Sequence, residues 1–214
     1  MNSFLKISML AISALLSGTA QASLIDRGNG LIYDSDLNIT WLQNANLAQT
    51  SAYDADGRMT WADAKAWAAQ LSFAGFNDWR LPALTSNTVC VGSDCSNSEL
   101  AHLFYGELGG QAEADLNSHH NAAFALFSNV QSSVYWLQDD LVIAPGVALG
   151  WGFVNGEGVL SGYQNLYNQS SQFHAWAVHA GDIGGELNSQ PVPLPAAGWL
   201  FVAGLSALIG TRRR

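Results

Sequence analysis

Apolar residues recur at helical spacing most clearly after Thr60, where Trp61, Ala64, Trp67, Ala68 and Leu71 would line one buried face. Thr60 and Asp63 form a T-x-x-D capping box at the start of that helix, and Gly75 ends the segment. A second helix is expected from Ser96, boxed by Glu99, with Leu100, Leu103 and Phe104 inward and a stop at Gly106 or Gly109. A third covers Asn121 to Phe127, with Ala123, Phe124 and Phe127 inward. The other patterned stretches are β-rich. Leu31–Tyr33 and Ile39–Leu42 flank the loop Asp34-Ser35-Asp36-Leu37-Asn38 and read as a hairpin. Ser133–Gln138, Leu149–Val154 and Ala175–Val178 read as further strands between Gly- and Asn-rich loops. Strands and helices do not alternate regularly, so the class is α+β: a single domain with a mixed or antiparallel sheet and two or three helices.

The two ends follow a different pattern. Residues 1–22 place Lys6 before the apolar run Ile7–Leu16 and finish on Ala20-Gln21-Ala22, the pattern of an export signal cut between Ala22 and Ser23. Residues 189–214 hold an apolar helix over about 196–210, followed by Arg212, Arg213 and Arg214. Its apolar part, Ala196–Ile209, would be about 21 Å long as a helix. That is short for a transmembrane span, although the arginine stems can reach the interface. The arginines would stay cytoplasmic and leave the residues before Pro191 outside. The expected domain between the two ends is 23–188.

Charge sharpens this picture. The chain is 49% hydrophobic with a formal net charge of −9. All 17 acids fall between Asp26 and Glu186, where only Arg27, Arg58, Lys65 and Arg80 oppose them, a net of −13. Such a surface repels phosphate backbones, so nucleic acid is not an expected partner.

Candidate chemistry is sparse. Cys90 and Cys95 are the only cysteines in a chain expected to be exported, and are expected to pair. Asp34, Asp36 and Asn38 have the D-x-D-x-N spacing of half a calcium loop, but lack the glycine and bidentate glutamate of the other half. A hairpin turn accounts for them equally well. The five histidines lack zinc-motif spacing and read as polar loop or surface groups. G-x-S-x-G is absent, and no catalytic constellation or resident cofactor is expected, so the domain is not expected to be an enzyme. Among the tryptophans, Trp151, between Gly150 and Gly152, is the one expected to be exposed and able to stack on a sugar. Arg80 is expected to pair with a carboxylate and tie strands together.

Gly30-Leu31-Ile32-Tyr33-Asp34, Leu37–Trp41, Met59–Ala64, Asp78-Trp79-Arg80-Leu81-Pro82, Ser98-Glu99-Leu100, Tyr135-Trp136 and Ala175–Val178 stand in the order of one bacterial family. The chain resembles the Legionella collagen-like protein C-terminal domain family over nearly all of residues 24–187, most specifically at Trp79, Arg80, Leu81 and Pro82. The resemblance implies a C-type-lectin-like fold, more distantly similar to formylglycine-generating enzymes, whose copper-binding cysteines have no counterpart here. The tail resembles a PEP-CTERM sorting signal, with Val192-Pro193-Leu194-Pro195 as its motif and Leu194 where the name-giving form has Glu. This implies an exosortase-type partner and a place at the cell surface or in the extracellular matrix of a Gram-negative bacterium, after membrane anchoring through the C-terminal helix. A surface-anchored binding domain for exopolysaccharide or another surface protein is therefore expected; a structural matrix or envelope protein is the alternative, and a hydrolase a weaker one.

Overall fold

The computed structural model describes residues 23–140, 145–153 and 160–185. Ala22, the Val192–Pro195 motif, the apolar run at 196–210 and Arg212–Arg214 lie outside the described residues. Among those described, no helix is long and apolar enough to cross a membrane.

The described residues form an α+β fold with two sheets. Strands β1 (Leu24–Gly28), β2 (Leu31–Asp34) and β3 (Ile39–Leu42) make an antiparallel meander. The expected hairpin is its β2–β3 half. After α1 (Leu47–Thr50), β4 (Arg58–Met59) leads into α2 (Trp61–Gln70). There the Thr60 hydroxyl accepts from the Asp63 N–H, as the sequence pattern requires. Trp61, Ala64, Trp67 and Ala68 are the buried face of α2.

The long connection from 71 to 98 is fixed by three devices. The Trp79-Arg80-Leu81-Pro82 segment bonds through Arg80 to Val178, backbone to backbone in both directions. Cys90 and Cys95 form the expected disulfide, which closes the loop that contains β5 (Gly92–Ser93). Helix α3 (Glu99–Ala101) is capped by the Ser98 hydroxyl, two residues later than the sequence box suggested. It continues as a π-helix over His102–Glu107. Leu100, Leu103 and Phe104 are buried as expected. The third expected helix is a 3-10 turn, Ala122–Leu126, capped by Asn121.

Strands β6 (Val134–Asp140), β7 (Val147–Gly152), β8 (Tyr163–Asn168) and β9 (Phe173–His174) complete the second sheet, in the order β4-β9-β6-β7-β8-β5. It is mixed, because β6 and β9 run parallel. The last strand, β10 (Val178–Ala180), returns to pair with β3 in the first sheet. Ala175–Val178 is thus not the continuous strand expected. It is a buried crossing between sheets, with strand pairing only at its end. Strand β8 has no continuous β-rich run in the sequence, because Gln164, Asn165 and Asn168 interrupt its β-favouring tyrosines.

A single apolar cluster draws on both sheets and on α2 and α3. Trp176 sits within it against the rings of Phe127, Trp41, Phe153 and Tyr135, at centroid distances of 5.1 to 5.6 Å. Four indole N–H groups also serve as pegs, each given an acceptor as a buried donor requires. Trp61 donates to the Leu137 carbonyl, Trp79 to Phe76, Trp136 to Met59 and Trp176 to Leu42. The tryptophans therefore set how loops seat on sheets as well as filling the core.

Candidate functional site

The short pair β4–β9 lies at one edge of the second sheet and places Arg58 opposite His174. Beside it, the approach to β6 contributes Gln131 and Ser133, and α1 contributes Gln49. With Asp56 these residues line a cleft of about 490 Å³. Asp54 accepts from the Asp56 and Gly57 N–H groups, forming the turn that presents Asp56. Asp56 in turn accepts from the Arg58 N–H at 3.0 Å, and this bond is the main reason its carboxyl is held below the usual range. Arg58 Nη2 reaches the Ser133 hydroxyl at 3.4 Å, and the Gln131 N–H donates to the Tyr135 phenol at 2.7 Å. Burial pushes the Tyr135 phenol far above its ordinary pKa, so it remains a neutral anchor for that loop. The cleft thus offers donors and acceptors of several kinds on a wall held by backbone bonds. A smaller hollow of about 140 Å³ lies against Tyr53, Trp67 and Leu71, with Tyr53 more than half exposed.

The residues singled out from sequence fall elsewhere. Trp151 is fully buried, packed on Phe104 and Tyr105, and is not the exposed stacking platform expected. The glycine beside it has another use: a Cβ at Gly150 would come within 2.4 Å of the Val134 side chain, so this position serves close packing. Asp34, Asp36 and Asn38 act as turn residues. Asp34 Oδ1 accepts from the N–H groups of Asp36 and Leu37, and Asn38, at φ 53°, accepts from the Tyr33 hydroxyl. The Asp34 carboxylate is buried, whereas Asp36 and Asn38 are exposed.

Arg80 has the partner expected of it. Its guanidinium donates to both oxygens of Glu99 at 2.7 Å, which raises its pKa further, and Glu99 also accepts from the Ala83 N–H. Pro82 accepts from the Gln138 N–H, joining this segment to β6. The family signature is therefore a structural lock between the 79–82 segment and α3.

The sequence predicts polar loop or surface histidines. His119, His120 and the His179 ring nitrogen are exposed, but His174 is 4% exposed within the cleft, and His102 lies beside Asp34 and Glu107. Pairing between residues far apart in sequence, as in β4–β9, leaves no local signal for such positions.

The family model of the Lcl C-terminal domain matches residues 30–179, which takes in β2 through the start of β10, the Arg80–Glu99 lock and the cleft. No curated protein and no solved structure matches the chain. By that match over most of its length, the chain belongs to the Lcl C-terminal domain family.

Proposed function

We propose that this is a non-catalytic, surface-displayed binding domain for polysaccharide, with the Asp56–Arg58–His174 cleft as its ligand site. The observation that carries the reading is the cleft's lining. Amides, hydroxyls, one guanidinium and one carboxylate converge there, a mixture suited to hydrogen-bonding a neutral polyhydroxylated chain. The exposed ring of Tyr53 offers a stacking face near the same stretch of chain. The −13 balance of the exported part disfavours sulfated polymers. The family match and the α+β architecture support a C-type-lectin-like fold. The leader and the tail, read from their residues, support export, membrane anchoring through the C-terminus and exosortase processing near Val192–Pro195.

Binding of the chain to a panel of neutral and sulfated glycans tests the reading. Saturable binding to a neutral glycan, weakened in Arg58→Ala and Gln131→Ala but not in Lys65→Ala, is the expected result. Binding to heparin-type glycans alone overturns it. So does the absence of saturable binding, the outcome that favours a structural matrix protein. Turnover of a glycan or ester that is lost in His174→Ala would make the protein a hydrolase instead.

A further inference from the structure

The helix that begins at Glu99 changes its winding at His102. From His102 to Glu107 it is π-helical, and the Leu108 N–H donates to the carbonyl of Leu103, five residues back, at 2.9 Å. On an α-helix, residues five apart lie about 140° apart around the axis, given 3.6 residues per turn. The wider π-turn swings His102 and Glu107 onto the same side. Such turns are rare and recur at functional sites. Facing them is Asp34, the last residue of β2. His102 Nε2 lies 3.3 Å from Glu107 Oε1 and 4.0 Å from Asp34 Oδ2, and all three donor atoms lie within 4.8 Å of one another.

The surroundings leave this group short of positive charge. The Asp34 side chain is fully buried and that of Glu107 is 7% exposed. The buried His102 Nε2 has no hydrogen-bond partner, although it lies 3.3 Å from Glu107 Oε1. Even a protonated imidazole would leave two desolvated carboxylates against one cation, a costly arrangement. Asp34, by contrast, is already oriented: two backbone N–H groups hold Oδ1, and Trp41 Nε1 donates to Oδ2 at 3.3 Å. Ligating carboxylates are commonly held by such supporting bonds.

We propose that Asp34, His102 and Glu107 form a binding site for a first-row divalent transition metal, with Zn²⁺ the best-suited ion. One imidazole nitrogen and two carboxylate oxygens are zinc-type donors, and donors about 2.0–2.2 Å from a zinc ion stand roughly 3–4 Å apart. Calcium prefers a shell made entirely of oxygen, so the imidazole selects against it. A bound divalent ion would neutralise both carboxylates and leave a coordination position open on the partly exposed His102 side. This site is separate from the proposed glycan cleft.

Calorimetric titration of the chelator-stripped full chain with Zn²⁺ tests the proposal. One Zn²⁺ per chain is expected, undisturbed by excess Ca²⁺ and accompanied by a higher melting midpoint. His102→Ala and Glu107→Gln should each weaken binding at least tenfold, and the double variant His119→Ala/His120→Ala should leave it unchanged. Glu107→Gln retains the side-chain shape, so it decides the case alone if His102→Ala does not fold. Absence of one-to-one binding overturns the site in favour of an internal ion-pair cluster. Full affinity in Glu107→Gln overturns it by placing the ion elsewhere.

Discussion

Glu99 and Glu107 open and close the same helical stretch, and both are largely removed from water, but they meet opposite electrostatic surroundings. Glu99 receives two charge-assisted bonds from Arg80 and a third from the Ala83 N–H. Its charge is balanced and its geometry is fixed, so it holds the 79–82 segment onto α3. Glu107 has an imidazole nitrogen at 3.3 Å, and a second buried carboxylate, Asp34, lies close by. The fold supplies an arginine for Glu99, whereas Glu107 and Asp34 share one imidazole, the feature on which the proposed metal site rests. A buried polar group that is fully satisfied explains itself as architecture; one that is not invites a ligand.

Breaking the satisfied half should have the largest effect. Arg80→Met leaves Glu99 buried without its cation and should destabilise the domain by roughly 3 kcal/mol, at the low end for such pairs because the arginine is partly exposed. A denaturant midpoint close to that of the unaltered protein would show that the lock is dispensable. Reducing Cys90–Cys95, which anchors the loop leading into Ser98 and Glu99, should cost about 2 kcal/mol from loop entropy. The intact bond should also shield both thiols from alkylation until reductant is added. Thr60→Ala sets the scale of a single lost cap and should lower stability by about 1 kcal/mol, read as a shift in melting midpoint. The smallest effect sharpens the contrast most. With metal chelated, Glu107→Gln should leave the melting midpoint unchanged or raise it, since it removes a poorly compensated buried charge. Glu99→Gln should lower it under the same conditions. Equal losses from the two substitutions would erase the distinction.

Local pattern determined several features. The Thr60 box and the Trp61–Ala68 spacing specify α2, because capping and amphipathic burial are properties of consecutive residues. The β2–β3 hairpin follows from β-rich runs flanking an Asp- and Asn-rich turn, and two cysteines five positions apart could reach each other across a short loop. The partner of Arg80 was legible as a type of residue, though not as Glu99.

Tertiary structure decided the rest. Strand β8 pairs along its whole length with β7, and its asparagines and glutamine mask the β preference of Tyr163 and Tyr167. Flanking glycines can mean either an open loop or a tightly packed sheet; at Gly150 the Val134 and Tyr167 side chains on neighbouring strands show the packed sheet, and Trp151 is buried. The cleft requires β4 and β9, more than a hundred residues apart, to lie side by side. His102 and Glu107 share a face only through a π-turn, whose widened hydrogen bonds have no sequence period of their own, and Asp34 joins them from the end of β2. Secondary structure is set largely by neighbours along the chain, whereas a site is set by neighbours in space. In this protein the candidate sites depend almost wholly on the second kind.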